Sequence, residues 1–110
     1  MSNETAVAEW EALKTDETRH VENVLRQHFK TVDAYRYNSA SIRVRIVDDQ
    51  FKGLSQEQRD ELVEPILSKL GHDTLSDIMN IVFTFAGEAK DSFRAFINNE
   101  EFEHPSKSML

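Results

Sequence analysis

The stretch FKGLSQEQRDELVEPIL, residues 51–67, decides the fold that this sequence predicts. Gly53 supplies a tight turn, and Ser55 follows as the N-cap of a helix. Gln58 stands three residues after Ser55, which is the capping-box spacing in which each side chain binds the other residue's backbone N–H. The sequence therefore predicts a strand, a turn and then a helix that begins after Ser55.

The apolar residues of this helix recur at the spacing of one buried face. They are Leu62, Val63, Ile66, Leu67 and Leu70. Gly71 then predicts the C-terminal stop. Pro65 breaks the pattern, because an interior proline removes one hydrogen bond and crowds the carbonyl of Glu61. Since the apolar face runs through Pro65 unchanged, we predict a kinked helix rather than two helices.

Upstream of this helix the sequence predicts one helix and a hairpin. Thr15 and Asp16 suit an N-cap, and the helix over residues 16–30 places one apolar face inward. That face consists of Val21, Val24, Leu25, His28 and Phe29. VDAYRYN (32–38) and SIRVRIV (41–47) alternate as strands do, and their short link predicts an antiparallel pair.

Downstream, the run IMNIVFTF (78–85) predicts an inner strand, after a turn at residues 73–77. KDSFRAFINNEEF (90–102) predicts a last helix with Phe93, Phe96 and Ile97 facing inward. The fold class is therefore α+β: a three-stranded mixed sheet with helices on one face, in the order αββαβα.

The elements form a single domain over residues 15–104. Residues 1–14 are predicted to be an N-terminal arm or short helix whose Trp10 packs on the body, and residues 105–110 a flexible tail.

Several function classes are excluded by the composition. The chain has 110 residues and no cysteine, so disulfides, thiolate metal sites and cysteine nucleophiles are absent. No phosphate-binding loop or nucleophile-elbow motif occurs, and no carboxylate pair has a predicted pocket. No apolar run approaches the roughly 20 residues of a membrane span. We expect a cytoplasmic, non-enzymatic protein that has no cofactor and does not bind membranes.

The order of elements, with Phe51, Gly53, Ser55, Arg59 and the pair Leu62-Val63 in the middle, resembles the BolA family. In that family a strand leads into Phe-x-Gly-x-Ser and then into a helix that carries Arg and Leu-Val. The resemblance implies the family fold, which is similar to type II KH domains. It also implies a small regulatory or adaptor protein that acts on transcription or pairs with a monothiol glutaredoxin around an iron–sulfur cluster.

This chain departs from the family pattern where the cluster ligands would lie. Met79 stands where cluster-sharing members place a histidine, and the short hairpin link at residues 38–41 carries neither Cys nor His. We therefore expect a protein partner and doubt cluster sharing. The residues predicted to contact the partner are Lys52, Arg59 and His72, and His72 could approach the start of the third strand as a substitute for the missing histidine.

Two alternatives stay open at this point. The central residues 19–59 carry eight basic and five acidic side chains between acidic ends, and the open sheet face offers aromatic and Arg residues to single-stranded nucleic acid. The residues predicted for that role are Tyr35, Tyr37, Arg43 and Arg45. An edge strand rich in Ile, Val and Phe also suits self-pairing, so the chain is expected to be a monomer or a homodimer.

Overall fold

The computed structural model describes residues 8–108, so the first seven residues of the predicted arm and the last two of the predicted tail lie outside it. The strands are β1 Thr31–Asn38, β2 Ser41–Val47 and β3 Ile78–Thr84. The helices are α1 Asp16–Arg26, α2 Gln56–Leu67, α3 His72–Asp77, α4 Glu88–Asp91 and α5 Phe93–Glu103, with short 3-10 helices at Glu9–Leu13 and Asp49–Phe51. The predicted α+β class and three-stranded mixed sheet are confirmed.

The sheet has the order β1-β2-β3. β1 and β2 form the predicted antiparallel hairpin, in which Val32 lies opposite Ile46. β3 runs parallel to β2, with Ile81 beside Val44. β3 was predicted to be an inner strand, but it pairs with β2 alone among the described strands, so β2 is the inner strand and β3 lies at an edge.

The predicted capping box forms at the start of α2. The Gln58 N–H donates to Ser55 Oγ over 3.1 Å, and the Ser55 N–H donates to Gln58 Oε1 over 2.9 Å. Gly53 precedes it with φ +78°, a left-handed conformation that favours glycine. α2 runs through Pro65 as one helix but ends at Leu67, before the predicted stop. Gly71 has an ordinary φ of −61° and instead precedes α3, which replaces the predicted turn.

α1 is shorter than predicted, because the chain turns away toward β1 after Arg26. The carboxylate of Asp48, at the end of β2, accepts a hydrogen bond from the Lys30 N–H over 2.7 Å. Phe29 is still buried, but His28 is exposed and does not join the apolar face.

The larger core fills the space between one sheet face and the helices α1 and α2. Its buried members are Val21, Leu25, Phe29, Val32, Ala34, Ile42, Val44, Ile46, Phe51, Val63, Leu67, Leu70 and Phe83. Ile66 packs against this core, whereas Leu62, predicted to face inward, is 38% exposed.

A second cluster covers the opposite face of the sheet. It consists of Trp10 from the 3-10 helix, Tyr35 from β1, Val82 from β3 and Phe102 from α5. Trp10 therefore packs on the body as predicted. The placement of helices on one face only was wrong, because the second face also carries apolar side chains that need cover.

Candidate functional site

Arg59, predicted to point outward to a partner, is only 4% exposed. Its guanidinium forms a bidentate ion pair with Glu88, over 2.8 and 3.0 Å. It also donates to the carbonyls of Phe83 and Leu54, over 2.9 and 3.0 Å. The predicted outward position of Arg59 was therefore wrong. The burial of Arg59 could have been predicted from helical spacing, because Arg59 lies four residues before the buried Val63 and shares its face.

The surroundings of Glu88 shift the pKa of its carboxyl group. Burial alone raises the pKa of this carboxyl, but hydrogen bonds from Arg59, from the Thr84 hydroxyl and from the Phe85 N–H outweigh that effect. The net pKa of Glu88 lies below its ordinary value of 4.5. The ionised carboxylate is thus the form that ties α2 and the end of β3 to α4.

We expect the Glu88 contribution to stability to be complete above pH 4.5 and to disappear as the pH falls through the lowered pKa of the folded state. The reason is that the unfolded chain then binds a proton that the folded chain does not. Urea denaturation of the wild type and of Glu88→Gln between pH 7 and pH 3 measures this effect. The difference in unfolding free energy between the two proteins should shrink on the acid side.

Glu100→Gln is the matched control, because Glu100 is exposed and forms no ion pair within residues 8–108. A constant difference between wild type and Glu88→Gln at all pH values would contradict the prediction. Some acid sensitivity will remain in every variant, since the Ser106 N–H and Arg43 also lower the pKa of Glu101.

Lys52 and His72, the other two predicted partner residues, are exposed but lie apart. Lys52 precedes α2, with its ammonium 3.9 Å from Asp49 Oδ1 and 5.8 Å from the centre of the Phe85 ring. His72 begins α3, beyond the other end of α2, and its side chain forms no hydrogen bond or ion pair in the described part of the chain. A helix of 12 residues is about 18 Å long. The structure therefore does not bring Lys52, Arg59 and His72 into one site.

The predicted Tyr/Arg face is largely occupied by α5. Tyr35 is fully buried, and its hydroxyl donates to the carbonyl of Phe102 over 3.0 Å. Burial raises the pKa of Tyr35, although a hydrogen bond from Arg43 acts in the opposite direction. Tyr35 thus holds α5 on the sheet, and its ring is not available for stacking on a base.

The two arginines of this face are paired with acids. The Arg43 guanidinium lies 3.7 Å from the centre of the Tyr37 ring and binds the Glu101 carboxylate over 3.2 Å. Arg45 binds Asp33 over 3.2 Å and Glu103 over 2.6 Å. Because both charges are compensated within the fold, Arg43 and Arg45 are not the unpaired cations that usually bind phosphate.

A hollow of about 420 Å³ remains between the hairpin turn and the start of β3. Its lining residues are Tyr37, Asn38, Ala40, Ser41, Arg43, Met79 and Asn80. The fold therefore brings together the two places where the family resemblance implies cluster ligands. The functional groups present are two amides, the hydroxyls of Tyr37 and Ser41, the Arg43 guanidinium and a thioether, and they do not fit an iron–sulfur cluster, which takes Cys or His. No group of three His, Asp or Glu within residues 8–108 is arranged to hold a metal ion.

The exposed apolar surface of α5 was not predicted. Phe93, Phe96 and Ile97, here called the α5 stripe, are 78%, 44% and 46% exposed, although their spacing predicted burial. Phe102 is the α5 residue that is buried instead. It lies nine residues after Phe93, which at about 100° per residue places it on the opposite side of the helix. Met79 of β3 is also 69% exposed.

Comparisons with protein-family models, with curated proteins and with solved structures gave no match. The resemblance to the BolA family therefore stays a prediction. None of the helices in the described part of the chain has the length and apolar character needed to cross a bilayer.

Proposed function

We propose that this chain is a non-enzymatic regulatory or adaptor module that binds a protein partner through the α5 stripe. The observation that carries this proposal is the exposure of three large apolar side chains on one helix face. Contiguous exposed apolar residues are typical of interaction sites, and aromatic residues are enriched at the centres of interfaces. Fully burying an exposed side chain of this kind contributes about 1.5–3 kcal/mol, so the mostly exposed Phe93 would contribute most.

Charges beside the stripe support a specific contact. Arg94 and Glu100 lie on α5 on either side of Phe96 and Ile97, and neither forms an ion pair with a residue in the range 8–108. Charges at the rim of an interface select the partner and its orientation more than they add affinity. A partner with complementary charges around an apolar centre fits this surface.

The resemblance to the BolA family favours a monothiol glutaredoxin as the partner. Binding through the α5 stripe requires no metal ligand from this chain. This agrees with the hollow beside Met79, whose lining contains neither Cys nor His. We therefore propose a contact between protein surfaces, without a cluster ligand from residues 38–41 or from Met79.

We expect Phe93→Ser/Phe96→Ser to weaken partner capture at least 30-fold, because a hot-spot side chain contributes 2 kcal/mol or more. The tagged protein is used to recover partners from its native lysate, with half of the lysate treated with nuclease. Titration calorimetry with a purified monothiol glutaredoxin, free of cluster, then gives the affinity. Leu62→Ser is the matched control, since Leu62 is an exposed apolar residue on α2.

Equal capture by the wild type and by the double variant would contradict the proposal. Recovery of nucleic acid that disappears after nuclease treatment would instead favour the nucleic-acid alternative, and Tyr37 would then be the residue to replace.

A further inference from the structure

The two outer edges of the sheet are not equally protected. At β1, the Ala34 N–H donates to Glu22 Oε2 over 3.0 Å, and the Val32 carbonyl accepts from the Arg26 guanidinium over 2.8 Å. Side chains of α1 therefore occupy backbone groups that would otherwise be free to pair with another strand. Charged side chains at an edge are a common protection against such pairing.

The outer edge of β3 keeps unpaired backbone groups. The Thr84 carbonyl accepts from the Asp48 N–H over 2.9 Å, so the backbone of Thr84 points toward β2. Because the backbone groups of successive residues in a strand point to opposite sides, those of Phe83 and Ile81 point away from β2. The Phe83 carbonyl accepts from Arg59 over 2.9 Å. The Phe83 N–H and both backbone groups of Ile81 have no hydrogen-bond partner within residues 8–108.

These backbone groups match an extended polypeptide. Donors and acceptors that recur along an edge at about 6.6 Å, the rise of two strand residues, are paired by the backbone of an added strand. The β3 sequence IMNIVFT, residues 78–84, contains no charged side chain and no proline, the residues that usually protect an edge. A protein segment that adds to β3 as a strand would therefore satisfy all three open groups at once.

The two sides of this edge differ in polarity. An added strand places alternate side chains on the two faces of the sheet. On the α2 face lie Ile81 and Ile66, which are partly buried and pack against the larger core. On the α5 face, a cleft of about 80 Å³ is lined in part by Ile81 and by the polar side chains of Asn80, Asn98 and Glu101. The edge therefore suits a segment in which apolar and polar side chains alternate.

Charge favours a basic segment over a second copy of this chain. The net charge of the chain is −7. On α2, four exposed carboxylates form no ion pair with a residue in the described range, and they belong to Glu57, Asp60, Glu61 and Glu64. Two copies would repel each other through this charge, whereas a basic segment would be attracted and would associate faster.

We propose that the outer edge of β3 is a second binding site, separate from the α5 stripe, and that its ligand is an extended segment of a partner protein with alternating apolar and basic residues. The segment pairs with the backbone of Ile81 and with the Phe83 N–H. Its apolar side chains face the α2 side of the sheet, and its basic side chains face the cleft beside Asn80 and Asn98. An adaptor needs two separate sites to join two partners, and the stripe and this edge supply them.

Amide exchange of the full chain, measured by NMR with and without the synthetic peptide Lys-Val-Lys-Val-Lys-Val-Lys, tests the inference. Without peptide, the Ile81 and Phe83 amides should exchange faster than those of Val82 and Thr84, which point toward β2. At a peptide concentration of about ten times its Kd, exchange at Ile81 and Phe83 should slow about tenfold, since the free protein exchanges and the complex does not. A control peptide with the same side chains and N-methylated backbone nitrogens should not slow it.

Ile81→Pro removes one outward N–H and leaves the hydrogen bonds between β2 and β3 in place, a position where an edge strand tolerates proline. Peptide affinity, measured by titration calorimetry, should fall about tenfold or more with this backbone donor. Ile81→Val keeps the N–H and is the matched control. Circular dichroism checks that both variants are folded. If Ile81→Pro does not fold, the exchange pattern of the wild type with the two peptides still decides.

Equal slowing by the N-methylated peptide would overturn the inference, because binding would then not use the backbone. Equal slowing by single-stranded oligothymidylate would overturn it in favour of nucleic acid. Slow exchange at Ile81 that appears without peptide as the protein concentration rises would overturn it in favour of a second copy. The variant Phe93→Ser/Phe96→Ser should bind the peptide like the wild type, so the capture experiment tests the proposed function separately.

Discussion

Replacing Arg59 with methionine is expected to lower the free energy of unfolding by about 3–5 kcal/mol, the usual cost of removing one partner of a buried ion pair. The Glu88 side chain is only 13% exposed, so its carboxylate would keep little water in place of the guanidinium. The carbonyls of Phe83 and Leu54 would also lose their donor. Urea denaturation at pH 7, monitored through the fluorescence of Trp10, measures this loss of unfolding free energy.

The double variant Arg59→Met/Glu88→Gln separates the charge effect from the loss of packing. Glutamine keeps an acceptor for the Thr84 hydroxyl and the Phe85 N–H but removes the uncompensated charge. We therefore expect the double variant to be more stable than Arg59→Met alone. A loss below about 1 kcal/mol for Arg59→Met, well under the usual cost, would show that the pair does not hold the fold.

Phe102→Ala should cost a similar amount, about 3–5 kcal/mol, because it removes a fully buried aromatic ring. The ring centre of Phe102 lies 4.9 Å from that of Tyr35 and 5.3 Å from that of Trp10. The Arg45 guanidinium lies over the same ring at 4.4 Å. Without Phe102, α5 and the 3-10 helix lose their common anchor on the sheet.

Phe93→Ala is the matched control on the same helix. Because the Phe93 side chain is mostly exposed, its removal should change the unfolding free energy by no more than about 0.5 kcal/mol. The same urea denaturation compares the two variants. A larger cost for Phe93→Ala than for Phe102→Ala would mean that α5 packs with the face that its sequence first predicted.

The parts of the fold that depend on neighbouring residues could be predicted from the sequence. The Ser55–Gln58 capping box, the antiparallel hairpin and the start of α1 after Thr15 each depend on contacts within a few positions. Local propensity and spacing decide such features, and the structure confirms all three.

Features that depend on distant contacts could not be predicted in this way. α5 has apolar residues on two opposite sides, and its own spacing does not tell which side is buried. Tyr35 decides this, because its ring and hydroxyl bind Phe102, which lies 67 positions away in the chain. Arg59 is similar: its partner Glu88 belongs to a helix that follows β3, so a helical position that looked solvated is buried. The candidate surface, Phe93 to Ile97, was missed for this reason.

The two edges of the sheet differ in whether side chains bind their backbone groups, and this difference limits the size of an assembly. Glu22 and Arg26 bind the backbone of β1, so the outward growth of the sheet is blocked on that side. Pairing at β3 would use the edge that residues 8–108 leave open, and the resulting six-stranded sheet would present two closed β1 edges. Because a sheet with one closed edge can pair at its other edge with one further sheet only, the closed β1 edge opposes open-ended growth of the sheet into fibres.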